Sequence, residues 1–182
     1  MIPQPCLAVI INSERLKKED DKAKGSKDTK AAFYMKQSGT LDNACGIIAC
    51  VHGILNNLSA EKITLIDGKT LSNFHTACLE KSPEERAAYM ETFTEFQQIH
   101  ATFASQGGSA MATTQAEVKH HFTAFVVNAD GHLIELDGTK QGPHVIKEAC
   151  GDLLKDTVAE IQKRLADGEI SESLSMMTLN AK

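Results

Sequence analysis

The sequence has no excess of positive charge, no long apolar run and no closely spaced pair of cysteines. Its 19 basic residues are outnumbered by 24 acidic ones, and the net charge of −5 argues against a nucleic-acid partner. Because no apolar run approaches the length of a transmembrane helix, we expect no membrane partner. The first residues also lack the basic region of a signal peptide, so no export is expected.

The cysteines are odd in number, scattered, and mostly set in apolar stretches. This distribution indicates reduced thiols in a cytoplasmic protein and argues against a disulfide framework. No CxxC spacing is present, so the sequence predicts no structural zinc site, and neither a metal nor a cofactor is expected. The five positions are Cys6, Cys45, Cys50, Cys78 and Cys150.

The 182 residues are enough for one domain with a full core, and the sequence predicts a single domain over residues 1–182. Because helical and β-rich stretches are largely kept apart along the chain, the pattern favours an α+β fold. Predicted strands cover residues 5–11, 121–127, 132–136 and 174–179. Predicted helices cover residues 45–57, 70–79, 82–103 and 147–167.

Three connecting segments have distinct compositions. Residues 13–30 are dense in Lys, Asp and Glu, which predicts a solvated loop. Residues 106–115 (QGGSAMATTQ) are small, polar and glycine-rich, which predicts a functional loop or lid. Asn128–Gly131 lies between two β-rich runs and indicates a hairpin, whereas His144 is predicted to lie in a turn.

Cys45 lies at the first turn of a predicted buried helix that Asp42 or Asn43 could cap. At that place the helix dipole and the free N–H groups stabilise a thiolate and lower the pKa of the thiol. Gly46 leaves room for a substrate carbonyl to approach. An arbitrary cysteine is more often a small core residue, so Cys45 requires partners before it can be interpreted as a nucleophile.

His121 and Asp137 are the candidate partners of that thiol. They lie at the open end of the predicted hairpin, and a turn centred on Ala129 would place them opposite each other. Such a carboxylate would hold the imidazole in one tautomer and support its protonated form. We interpret His52, His75 and His100, which lie in predicted helices, as packing or surface residues.

Gln37 is the candidate donor to an oxyanion, together with the backbone N–H of Cys45. It lies eight residues before Cys45. On this evidence alone a solvated loop glutamine is an equally good interpretation.

Several blocks of the sequence resemble the signature blocks of the ubiquitin C-terminal hydrolases. The resemblance spans nearly the whole chain, and the combination of NACG with HF and GHLIELDG is highly specific. The blocks are PQPCLAVII (3–11), FYMKQ (33–37), NACGIIACVHGILNN (43–57), SPEERAAYME (82–91) and HFTAFVVNADGHLIELDG (121–138).

The resemblance implies a papain-like α+β fold with a central antiparallel sheet flanked by helices, in which the first family segment is missing from this chain. It implies that Cys45 is the nucleophile, His121 the base and Asp137 the orienting acid. Gln37 would be the oxyanion donor, although its spacing to Cys45 is longer than in the family. Residues 106–115 would belong to the loop that crosses the active site and limits the size of the leaving group.

The implied reaction is thiol-dependent hydrolysis of (iso)peptide, ester or thioester bonds at the C-terminal glycine of ubiquitin, in ubiquitin-dependent catabolism and recycling. The implied partners are ubiquitin and its small C-terminal adducts, and the acidic charge balance suits the arginine-bearing tail of ubiquitin. Two alternatives stay open. One is a ubiquitin-binding protein with little or no hydrolase activity because of the missing N-terminal segment. The other is a cysteine protease or acyltransferase unrelated to ubiquitin.

Overall fold

The computed structural model describes residues 4–16, 24–37, 44–59, 61–106 and 120–181. Its strands are β1 (Cys6–Arg15), β2 (His120–Val127), β3 (Leu133–Leu136), β4 (His144–Lys147) and β5 (Ile170–Asn180). Its helices are α1 (Cys45–Leu55), α2 (Thr70–Cys78), α3 (Pro83–Thr92), α4 (Thr94–Gln106) and α5 (Leu153–Ala166). Within these ranges no helix is both long and apolar enough to cross a membrane.

The strands form one sheet in the order β4-β3-β2-β1-β5, and all neighbouring strands are antiparallel. Helices cover both faces, because Ala49 of α1 packs against Ala8 and Ile10, whereas Leu153 and Ile161 of α5 pack on the opposite face. A strand covered on both faces needs apolar residues at successive positions, as in the LAVII run of β1. The predicted α+β fold with a central antiparallel sheet is confirmed.

The central strand β1 is longer than predicted. It continues through Ser13, Glu14 and Arg15, which the charged composition had assigned to a solvated loop. Ser13 pairs with His121 on one side and with Leu174 on the other. Pairing with strands on both sides therefore outweighs the local polarity.

Three further boundaries, the starts of β4, α5 and β5, differ from the predictions. His144 begins this strand and does not lie in a turn. The following helix, α5, begins at Leu153 and not near Lys147, because Asp152 caps it by accepting a hydrogen bond from the backbone N–H of Lys155 at 3.0 Å. β5 also begins at Ile170, four residues before the predicted start at residue 174.

The predicted helix 82–103 is in fact two helices, α3 and α4, separated at Phe93. Phe93 has an extended backbone with φ −79° and ψ 94°. The ring centroids of Tyr89, Phe93 and Phe96 lie 5.9, 5.6 and 5.0 Å from that of Phe74. These three aromatic side chains therefore pack inward as predicted, on both sides of the break, while the side chain of Phe103 lies outside the described part.

The start of α3 is as predicted. The hydroxyl of Ser82 accepts a hydrogen bond from the backbone N–H of Glu85 at 3.2 Å, and the Glu85 carboxylate accepts one from the backbone N–H of Ser82 at 2.7 Å. This capping box, with Pro83 at the first helical position, fixes where the helix begins.

We expect Phe74→Ala to destabilise the protein by about 3–5 kcal/mol, because Phe74 is fully buried and its removal leaves a cavity among the aromatic rings. Denaturant unfolding followed by circular dichroism measures this difference. The control is Leu79→Ala, since Leu79 is 56% exposed at the end of α2. This substitution should lower the free energy of unfolding by about 0.5 kcal/mol. Equal losses in the two variants would contradict this account of the core.

Candidate active site

Cys45 is the first residue of α1, as the sequence predicted, and only 8% of its surface is exposed. The N-cap residue is Ala44, which makes no side-chain capping bond, and Asp42 and Asn43 lie outside the described residues. The first-turn N–H groups of a helix have no partner within the helix. The thiol therefore lies at the positive end of the helix dipole, where a negative charge is stabilised.

The packing of α1 against the sheet fixes the position of Cys45. A Cβ at Gly53 would lie 3.1 Å from the Cβ of Ala8, so the glycine allows the helix to approach β1 closely. Near the start of the helix, the ring of Phe122 lies against Gly46. Phe122 directly follows His121 in β2, so this contact brings the start of the helix next to the histidine.

The hairpin places His121 and Asp137 on diagonal positions and not opposite each other. Observed pairs such as Ala124↔Leu136 and Val127↔Leu133 centre the turn on Asp130. The prediction had centred it one residue earlier, which shifts the expected partner by two. The predicted direct opposition is therefore wrong. Diagonal neighbours on one face still reach each other with long side chains, and Nε2 of His121 lies 2.8 Å from Oδ1 of Asp137.

The turn itself explains the shift. The backbone N–H of Asn128 donates to the carbonyl of His132 at 3.0 Å, and the side-chain oxygen of Asn128 accepts from Asp130 and His132. Gly131 adopts φ +79°, a left-handed conformation that glycine tolerates best. The loop between the last paired positions, Val127 and Leu133, therefore has five residues and is centred on Asp130.

The carboxylate of Asp137 is buried, and several donors surround it. Besides His121, the Oδ1 atom accepts hydrogen bonds from the backbone N–H of Thr139 at 3.0 Å and from its hydroxyl at 2.8 Å. Oδ2 accepts a charged hydrogen bond from Arg15. Burial alone would raise the pKa of Asp137, but the hydrogen bond with His121 and the charge of Arg15 hold this pKa well below its usual range. Asp137 is therefore ionised at neutral pH.

His121 and Cys45 form a coupled pair next to this carboxylate. Burial opposes a charged imidazole, but the hydrogen bonds to Asp137 and to Cys45 raise the pKa of His121. Burial would likewise raise the pKa of the Cys45 thiol, but the hydrogen bond with His121 and the backbone of Phe122 lower it overall. Because Nε2 of the imidazole faces Asp137, Nδ1 is the nitrogen left for the thiol. The arrangement favours a thiolate–imidazolium pair.

Gln37 lies beside the segment that carries Asp137. Its backbone N–H donates to the carbonyl of Gly138 at 2.9 Å. A Cβ at Gly138 would lie 2.7 Å from the Gln37 nitrogen, so only glycine allows this approach. Three residues earlier, the hydroxyl of Tyr34 lies 2.7 Å from the carbonyl oxygen of Asp137. These contacts place Gln37 next to the site, and its role as oxyanion donor stays a prediction.

A second buried carboxylate, that of Glu135, lies two residues before Asp137. Arg164 donates two hydrogen bonds to it, at 2.8 and 3.0 Å, and Lys140 donates another. Burial alone would raise the pKa of Glu135, but the charges of Arg164 and Lys140 hold it well below its usual value. Since the N–H of Lys140 also donates to the Asp137 carbonyl at 3.0 Å, this ion cluster anchors the loop behind Asp137.

His52 is buried in α1 and has a packing role, as predicted. Burial lowers its pKa to about 4. Its Nε2 atom accepts a hydrogen bond from the backbone N–H of Met35 at 3.1 Å, and its ring stacks on Tyr34 at 5.3 Å. A neutral imidazole with this nitrogen occupied is not available as a base at the Cys45 thiol.

The sequence did not reveal Arg15, Thr139 and Tyr34 as members of the site. Arg15 belongs to a stretch whose charges resemble a solvated loop, and Thr139 is a single hydroxyl next to a turn. Only the specific pairing of the strands brings them to Asp137. The predicted crossover loop, residues 106–115, lies outside the described residues from position 107 onward.

The chain is similar in sequence to known proteins. The model of ubiquitin carboxyl-terminal hydrolase family 1 matches residues 1–166. A probable ubiquitin carboxyl-terminal hydrolase of Dictyostelium discoideum is 33% identical over 194 residues, covering 100% of this chain and 73% of the relative. Ubiquitin carboxyl-terminal hydrolase isozyme L1 of Equus caballus is 30% identical over 178 residues, covering 94% of this chain and 76% of the relative.

The fold is similar to that of a solved relative. The catalytic domain of Trichinella spiralis UCH37, in a crystal structure with ubiquitin vinyl methyl ester, has a TM-score of 0.75 and 19% identity. The match covers 98% of this chain and 78% of that chain. Together with the family match over most of the sequence, these comparisons show that the chain belongs to ubiquitin carboxyl-terminal hydrolase family 1, a family of cysteine-type deubiquitinating enzymes.

Proposed function

We propose that this chain cleaves bonds at the C-terminal glycine of ubiquitin and that Cys45 is its nucleophile. The observation that carries the proposal is the series of contacts from Cys45 through His121 to Asp137 at the start of a buried helix. The names of the relatives, and the UCH37 structure with ubiquitin vinyl methyl ester, support ubiquitin as the partner.

In the first step the Cys45 thiolate attacks the carbonyl carbon of the terminal glycine, and a carbon–sulfur bond forms. The proton of the thiol has already moved to Nδ1 of His121, and Asp137 stabilises the resulting imidazolium through Nε2. The negative charge then moves to the carbonyl oxygen. The backbone N–H of Cys45 and the side-chain amide of Gln37 are the proposed donors to this oxyanion.

In the second step the tetrahedral intermediate collapses, and His121 gives its proton to the leaving amine, alcohol or thiol. A thioester between Cys45 and the ubiquitin glycine remains. His121 then takes a proton from water, the water oxygen attacks the thioester, and the carbon–sulfur bond breaks. The products are free ubiquitin and the regenerated thiolate.

The proposed substrates are small C-terminal adducts of ubiquitin, joined by (iso)peptide, ester or thioester bonds. Their hydrolysis would return ubiquitin to the conjugation pathway during protein catabolism. Free thiols at all five cysteines are consistent with the cytoplasmic location that the sequence predicts. The net charge of −5 would favour the approach of a basic ubiquitin tail.

We expect the chain to release a fluorophore from the C-terminus of ubiquitin and Cys45→Ala to lose this activity completely. The same sample should form an adduct with ubiquitin that carries a thiol-reactive warhead, located at Cys45 by peptide mapping. Cys50→Ala is the matched control, since Cys50 is in the same helix and should be dispensable. An adduct without turnover would identify a ubiquitin-binding form, and turnover in Cys45→Ala would refute the assignment.

Alkylation by iodoacetamide should prefer Cys45 over the other cysteines, and the preference should grow as the pH is lowered. The pKa of Cys45 is lowered, so a larger fraction of this thiol is ionised, whereas burial raises the pKa of Cys50, and that of Cys150 to about 11. Because the hydrogen bond with His121 lowers the thiol pKa, His121→Gln should shift the alkylation profile of Cys45 to higher pH. Mass spectrometry of each cysteine peptide measures the rates, and an unshifted profile would count against the pair.

Gln37→Ala should lower kcat by about 10²–10³-fold if the amide stabilises the oxyanion, with little change in KM. Steady-state hydrolysis of the ubiquitin fluorophore measures both constants. Gln97→Ala is the control, because Gln97 is exposed on α4 and its amide donates to the carbonyl of Glu91. Full activity in Gln37→Ala would assign the oxyanion contact to another donor.

A further inference from the structure

Arg15 contacts both Asp137 and the hydroxyl that Asp137 binds. Its Nη2 atom donates to Oδ2 of Asp137, and its Nη1 atom lies 3.4 Å from Oγ1 of Thr139. The Thr139 hydroxyl in turn donates to Oδ1 of Asp137 at 2.8 Å. The side chain of Arg15 is 20% exposed, whereas that of Asp137 is fully buried. The guanidinium of Arg15 therefore holds the Asp137 carboxylate in place from the solvent-exposed side of the site.

The regular alternation of β1 places Arg15 on this side of the sheet. Ser13 is paired with His121 of β2, and the register between these two strands is unbroken through Glu14. Since side chains two positions apart in a strand share a face, Arg15 lies on the same face as Ser13 and His121. The register shift against β5 sets Ser13 opposite Leu174 and Arg15 opposite Ile170, so its extra residues belong to β5 and leave this alternation of β1 intact.

The two oxygens of Asp137 have separate partners, which is what fixes the carboxylate plane. Oδ1 is hydrogen-bonded to His121 and Thr139, and Oδ2 is hydrogen-bonded to Arg15. The terminal torsion of an aspartate is broad and is held only by its contacts. Without the guanidinium, Oδ2 would lose this charged donor inside the protein, and the carboxylate could turn away from His121.

We propose that Arg15 is a positioning residue for the reaction: it fixes the carboxylate of Asp137 and, through it, the imidazole of His121. The inference rests on the proposed function and adds a residue outside the predicted Cys45, His121, Asp137 and Gln37 set. The charge of Arg15 also contributes to the lowered pKa of Asp137. Because a charged bond to a carboxylate needs both the charge and the fork geometry, lysine replaces it only in part.

The first experiment compares Arg15→Met with Arg15→Lys in hydrolysis of the ubiquitin fluorophore. Arg15→Met should lower kcat on the order of tenfold to a hundredfold while KM changes less than about twofold, because orientation and not binding is lost. Arg15→Lys should recover part of kcat. A change confined to KM, or an unchanged kcat in Arg15→Met, would overturn the proposal.

The second experiment is a double-mutant cycle with Asp137→Asn, read as the rate of iodoacetamide alkylation at Cys45. If Arg15 acts through Asp137, Arg15→Met should slow alkylation several-fold in the native background and have almost no effect beside Asp137→Asn. Equal slowing in both backgrounds would overturn the proposal. This readout needs no turnover, so it decides the role of Arg15 even if ubiquitin proves not to be a substrate.

Lys30→Met is the matched control for both experiments. It also removes one cation from an ion pair, since Nζ of Lys30 lies 2.9 Å from Oδ1 of Asp130 in the hairpin turn. It should leave kcat and the alkylation rate within about twofold of native values, because exposed ion pairs contribute little. Thermal melting of every variant separates lost orientation from lost folding, and Arg15→Lys supplies the test if Arg15→Met does not fold.

Discussion

The buried carboxylate of Asp137 joins the parts of the chain that build the site. The carboxylate oxygens bind Arg15 from β1, His121 from β2 and Thr139 from the loop after β3. The backbone carbonyl of Asp137 also accepts a hydrogen bond from the hydroxyl of Tyr34. A charge without partners is not stable in a protein interior. The contacts with the carboxylate therefore support the buried charge and orient the neighbouring side chains, so the fold and the activated thiol depend on the same hydrogen bonds.

Two carboxylates in one short motif, Glu135 and Asp137, have different partners and different consequences. Glu135 is neutralised by Arg164 and Lys140 deep in the sheet–helix interface, so it contributes to position but exchanges no proton at the thiol. Asp137 is hydrogen-bonded to the imidazole of His121, which can gain or lose a proton. The ion pairs of Glu135 hold the loop after β3 in one arrangement. Asp137 needs such a fixed loop to keep its carboxylate beside His121.

Local patterns predicted much of this site, and long-range pairing decided the rest. The start of α1 at Cys45 follows from the apolar stretch that begins there, and the hairpin that carries Asp137 follows from its turn residues. The register could not be read, because a one-residue difference in the turn moves each partner by two. Arg15 could not be found either, because the charged composition of residues 13–30 conceals that β1 continues through Arg15 beside the strand that carries His121.

The central place of β1 in the sheet has a consequence for the order of folding. Of the five strands β1 is made before the others, but its neighbours β2 and β5 come from the second half of the sequence, and Arg15 and Asp137 are 122 positions apart. Contacts of such long range form late, after their loop-closure entropy has been overcome. A chain still being synthesised therefore carries Cys45 as an ordinary thiol. Its chemical reactivity appears only when the completed sheet brings His121 and Asp137 into place.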